Sequence, residues 1–172
     1  VSVKAGGLTE MRRSGTEQMD LMRNASLKRL ATRPASLSIE SIIDEIEDTI
    51  FHYIFAIYQV NPGMLPVKSM GEDIYRAVAA RIQEEEQKRV SRTVDELNIL
   101  ETQLLDYDNS AFHTVTDLSF DVLYTIRGIQ HYPYGEYPFA YRRAAEVMFH
   151  YDERMGWILL KCISDRDAAQ RN

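Results

Sequence analysis

The chain has 172 residues, 45% of them hydrophobic and 27% charged, enough for one sizeable core and too few for two. No apolar run reaches the roughly 18 residues of a membrane span, and the single cysteine, Cys162 in the run WILLKCI, excludes a disulfide within the chain and reads as a small core hydrophobe. The net charge of −6 is uneven: up to Ser36 seven basic residues face three acidic ones, a balance of +4, and the rest carries thirteen against twenty-three, a balance of −10, so a basic arm precedes an acidic body.

Within the arm, the capping box Ser14-Gly15-Thr16-Glu17 predicts a short helix with Met19, Met22 and Leu30 as a thin apolar stripe, stopped by Pro34. Arg12, Arg13, Arg23, Lys28, Arg29 and Arg33 make it basic, but it holds no Phe, Tyr or Trp, which disfavours nucleic acid. Docking on the acidic body, its own or that of a neighbouring copy, is the plainer use. The N-terminal stretch has no apolar signal segment, so a cytoplasmic protein is expected, or one within a particle assembled in the cytoplasm.

Residues 36–60 predict a helix. Ser38 can cap it, Glu40, Asp44 and Glu45 suit its positive end, and Ile39, Ile42, Ile43, Ile46, Ile50, Ile54 and Ile57 recur at helical spacing until Asn61-Pro62-Gly63. Residues 69–107 predict the longest element, opened by Ser69-Met70-Gly71-Glu72 as a capping box and carrying Glu84 with Lys88 and Glu85 with Arg89 at i, i+4. A straight helix there extends roughly 50 Å. Its two apolar stripes, Ile74, Val78 and Ile82, then Val90, Val94, Leu97 and Leu104, are offset by roughly 110°, one facing the home core and one a neighbour. A break near residues 91–96 is the competing reading, since Thr93-Val94-Asp95-Glu96 is also a capping box.

After a turn at 106–110, residues 110–130 predict a helix with Phe112, Val115, Leu118, Val122, Ile126 and Ile129 inward. Residues 131–138 form a loop fixed by Pro133, Gly135 and Pro138, in which Tyr132, Tyr134 and Tyr137 offer area either for local packing or for a contact site. A last helix enters at Pro138 and buries Ala144, Met148, Tyr151, Met155, Ile158 and Cys162.

Histidine and carboxylate pairs come nearest to chemistry. On helices, His113, Asp117 and Asp121 share a face, and Glu146 lies one turn before His150, as Asp48 does before His52. No Glu-x-x-His pair of a di-iron bundle occurs. Glu84-Glu85-Glu86 and Glu45 with Asp48 do not match the spacing of helical nucleotide pyrophosphohydrolases. Phosphate loops, CxxC, HExxH and G-x-S-x-G motifs are absent.

The sequence therefore predicts a mainly α protein: a basic arm over 1–35, then one domain over 36–172 built as a bundle of about four main helices, one of them long. The expected function is non-enzymatic, a structural or interaction subunit of an oligomeric assembly without a cofactor, for which viral or phage particles are one setting. Its partners would be other protein subunits, met through the arm (Arg12, Arg13, Arg23, Lys28, Arg29, Arg33), the long helix (Val90, Val94, Leu97) and the loop (Tyr132, Tyr134, Tyr137). The alternative is a metal-dependent, pyrophosphohydrolase-like bundle or a metal-binding protein using His113, Asp117, Asp121, Glu146 and His150.

Overall fold

The computed structural model describes residues 39–105 and 117–168; the arm, the turn at 106–110 and His113 lie outside the described residues. The isoleucine stripe forms helix α1, Ile39–Tyr58, with Ile42, Ile46 and Ile50 fully buried. Two short 3-10 turns, Pro62–Met64 and Val67–Ser69, lead to helix α2, Glu72–Gln87. Four strands follow, β1 (Ser91–Leu104), β2 (Asp117–Tyr132), β3 (Gly135–Asp152) and β4 (Gly156–Asp167), forming an antiparallel meander in the order β1-β2-β3-β4. The helices cover one face of this sheet, α1 against β1 and β4, and α2 against β4.

The helical bundle expected from periodicity is thus corrected to a sheet with two helices. Of the helix predicted over 110–130, residues 117–130 belong to strand β2 and residues 110–116 lie outside the described residues; the one entering at Pro138 is β3 followed by β4. The long helix divides into α2 and β1. Within β2 the buried residues alternate strictly: Leu118, Phe120, Val122, Tyr124 and Ile126 face the helices. The spacing of Leu118, Val122 and Ile126 fits both periods, and Phe120 and Tyr124, which share their face, decide for the strand.

In β1 the disguise is different. Register shifts around Asp95 and Leu100 insert an extra residue each time, so the inward positions run Val94, Leu97, Ile99, Thr102, Leu104. A bulge turns a step of two into a step of three, and steps of three resemble a helix.

Both helices end in the same way without a glycine. Val90 N–H donates to Glu85 O at 3.1 Å and Arg89 N–H to Glu86 O at 2.9 Å, with Arg89 at φ +59°. Asn61 N–H donates to Ala56 O at 3.0 Å and Val60 N–H to Ile57 O at 3.2 Å, with Val60 at φ +53°. These are Schellman ends with arginine and valine in the left-handed position, where side chains with a Cβ are unfavourable. At the other end of α2, Gly71 caps rather than Ser69. Its N–H donates to Leu159 O at 2.7 Å, tying the helix start to β4.

The core lies between helices and sheet, with Phe120 edge-on to Phe149 and Trp157 against Tyr151. A buried carboxylate sits in it: Glu47 of α1 accepts from the Thr102 hydroxyl of β1 at 2.9 Å. Where β1 crosses β2 at Val94 and Gly128, a Cβ on Gly128 would stand 2.1 Å from Thr93 O.

Two substitutions test this description by chemical denaturation. Gly128→Ala forces the β1–β2 pair apart and lowers the unfolding free energy by about 3 kcal/mol. Arg89→Gly relieves the left-handed residue and raises it by about 0.5 kcal/mol, the larger entropy of the unfolded chain offsetting the rest.

Candidate binding site on the inner face

Strand alternation decides which side chains meet here. On β3, Tyr137, Phe139, Tyr141, Arg143 and Ala145 point to the helix side, and on β2 their partners Gln130, Gly128, Ile126, Tyr124 and Val122 do the same. Deep in the sheet this face is covered by α1. Towards the β2–β3 hairpin it runs out beyond the covering.

There the exposed part is aromatic. Pro133 and Tyr134 make a two-residue turn between the paired Tyr132 and Gly135. Tyr132 stacks on Tyr134 at 5.0 Å and meets Tyr137 edge-on at 5.6 Å. Phe139 stacks on Tyr141 at 5.5 Å and on Tyr58 of α1 at 6.0 Å. Tyr134 is 75% exposed, Tyr137 49% and Tyr141 43%. Together with Gln130 and Pro138 they line a groove of about 380 Å³ without a charged residue. The opposite side of the hairpin is polar: His131 bonds Glu136 at 3.1 Å and the Thr93 hydroxyl at 3.0 Å.

Tyr58 and Tyr141 also stand at a cavity of about 320 Å³ between α1, α2, β3 and β4. Its mouth carries two ion pairs. Arg92 holds Glu85 through two bonds, 2.9 and 3.3 Å, and reaches Gln130 Oε1 at 3.1 Å and Tyr58 O at 3.3 Å. The latter is a carbonyl of the last turn of α1, where a cation is favourable. Arg143 donates to Asp165 Oδ1 at 2.9 Å, to Asp165 O at 2.9 Å and to Asp167 Oδ1 at 2.8 Å. Asp165 also accepts from Tyr124 at 2.9 and 3.1 Å, and Tyr124 lies 3.5 Å from the Tyr58 hydroxyl.

Ionisation in this network is displaced away from neutrality. Burial, then the Tyr58 and Asp165 neighbours, push the Tyr124 phenol far above its ordinary range. Burial, followed by the Cys162 neighbour, raises Tyr53, and burial raises Tyr58. The Cys162 thiol is raised by burial and then by the Asp165 charge. Burial pulls Arg143 down, but its bond to Asp165 and that charge leave it above the ordinary arginine value. Such groups keep a single protonation state near neutral pH.

The residues singled out from sequence are distributed unevenly over this structure. Tyr132, Tyr134 and Tyr137 form the outer end of the aromatic groove. Val94 and Leu97 are buried in the chain's own core, and Val90 is half-buried just past α2. Arg12, Arg13, Arg23, Lys28, Arg29, Arg33 and His113 lie outside the described residues. Asp117, Asp121, Glu146 and His150 share the outer face of the sheet, Asp117 opposite His150 and Asp121 opposite Glu146. Asp117 bonds His150 at 2.6 Å and Asp121 bonds Arg166 at 3.2 Å. Among the described residues no three His, Cys, Asp or Glu are grouped to hold a metal.

Sequence reasoning missed Tyr58, Arg92, Tyr124, Arg143 and Asp165. The available signal was a polar side chain at inward positions of an alternating strand, as in Tyr141-Arg142-Arg143-Ala144-Ala145, which is invisible while the segment is read as a helix.

No protein family matches the chain, and no curated protein does. The crystal structure of the intermembrane space region of the chloroplast protein ARC6 is similar in fold, with a TM-score of 0.53 at 10% sequence identity, covering 78% of this chain and 100% of that one. At that identity the likeness concerns the fold alone. No helix among the described residues is long and apolar enough to cross a membrane.

The raised tyrosines predict an alkaline limit. Their ordinary value is 10.0, and a folded-state value above the unfolded one gives stability that is complete below pH 10 and lost as pH rises towards the folded value. Urea midpoints measured from about pH 8 to about pH 11 should stay level and then fall. Tyr124→Phe should make that fall shallower.

Proposed function

We propose that the protein is a non-enzymatic interaction subunit that associates with a second copy of itself through the aromatic groove of the β2–β3 hairpin. The observation that carries this reading is the composition of the groove: Tyr132, Tyr134, Tyr137, Pro138, Phe139 and Tyr141 with no charged residue, in a chain where 27% of residues are charged and the net charge is −6. Two copies repel each other over most of their surface, and a charge-free patch is where they meet at least electrostatic cost. Tyrosines suit such a contact because they bury a large area and lose little rotamer freedom. A patch that stacks on its own counterpart also closes as a two-fold pair. The raised phenols and thiol and the paired carboxylates of the adjoining cavity support binding over proton-transfer catalysis. The basic arm, +4 against a body of −10, adds attraction between copies.

Sedimentation of the full chain from about 1 to about 100 µM should reveal reversible association. The double substitution Tyr134→Ser, Tyr137→Ser should weaken it at least tenfold, about 1.4 kcal/mol, with an unchanged circular dichroism spectrum. Removing residues 1–35 should reduce the salt sensitivity of the same equilibrium. A monomer across the whole range, or association indifferent to the double substitution, would remove the support for this reading.

A further inference from the structure

The cavity behind the groove has an unbalanced charge. Three arginines line it, Arg81, Arg92 and Arg143, against two carboxylates, Glu85 and Asp165. Arg92 is taken by Glu85, and Arg143 by Asp165 and Asp167. Among the described residues these pairs leave out Arg81, which projects from α2 to the cavity wall. Its charge reaches across to Tyr53 of α1 and Cys162 of β4 and favours their ionised forms.

Below this cation the cavity is apolar. Ile50 and Ile54 of α1 face Ala145 and Val147 of β3, and Ala145, the smallest of them, leaves depth unfilled. The volume, about 320 Å³, lies at the lower end of small-molecule sites. The two ion pairs at the mouth hold the walls in place.

We infer that this cavity binds a small amphipathic monocarboxylate, whose carboxylate pairs with Arg81 and whose hydrocarbon part rests on Ile50, Ile54, Ala145 and Val147. One free cation matches one negative charge. A guanidinium fork presents parallel N–H groups to a planar carboxylate. A dianionic phosphate would meet Glu85 and Asp165 at the same mouth with no second free cation to balance it. The site borders the groove at Tyr141 but includes none of Tyr132, Tyr134 and Tyr137, so its carboxylate contact at Arg81 does not depend on self-association.

Calorimetric titration of the full chain with octanoate tests the inference, with octanol and octyl phosphate as probes of charge. The expected result is saturable binding of one octanoate per chain with a Kd below about 1 mM, and at least tenfold weaker binding of both octanol and octyl phosphate. Arg81→Gln, a substitution on an exposed helical position, should fold normally and weaken octanoate at least tenfold without changing the affinity for octanol. Ala145→Leu, which fills the floor, should weaken octanoate and octanol together. Absence of saturable octanoate binding, equal affinity in Arg81→Gln, or octyl phosphate binding as tightly as octanoate each overturns the proposal.

Discussion

The make-up of the inner face of the sheet depends on bulges in both edge strands. Side chains alternate across a strand, so an extra residue reverses everything after it. In β1 the residue inserted at Asp95 brings Leu97 and Ile99 inward and sends Glu96 and Asn98 to solvent, and the one at Leu100 restores the original phase for Thr102 and Leu104. In β4 the shift at Leu160 turns Cys162 towards the core and Lys161 away, and the shift at Ile163 returns Asp165 to the inner side. Without the first of these a lysine would face Tyr53. Without the second, the partner of Arg143 and Tyr124 would point out of the protein. Bulges also bend and twist an edge strand, which leaves room beneath α1 for a cavity.

How much of this could be read in advance follows from the same geometry. Helix α1 was legible because its isoleucines keep one period over 20 residues with Asn61-Pro62-Gly63 just beyond. The strands were not, because β2 and β3 run to 16 and 18 residues, about three times the usual strand length, and length argues for helix in short apolar windows. The stop after α2 was hidden by Arg89, whose place a glycine would have announced. At the site, the Pro-Tyr-Gly sequence of the hairpin marked its tyrosines in advance, and they line the aromatic groove. The arginine cavity could not be found, since its residues are gathered from α1, α2, β1, β3 and β4 only once the strand registers are known.

Groove and cavity share Tyr141, whose ring lies 6.3 Å from that of Tyr58 in the cavity wall. These rings are part of a stack that runs from the hairpin to the last turn of α1, and Arg92 binds that turn from β1 while holding Gln130 beside Tyr132. The two spaces are thereby joined by direct contacts, and Arg143 is anchored on the cavity side at three points on β4.

Glu45 of α1 accepts the backbone N–H of Trp157 at 3.2 Å, across a separation of 112 residues, and the lower half of the same helix needs Leu159 and Cys162 to complete its enclosure. Of the described elements α1 emerges from a ribosome first and β4 last. The isoleucine helix therefore waits for its final cover until all four strands have been made, an interval during which its apolar side is open to chaperones or to other nascent chains.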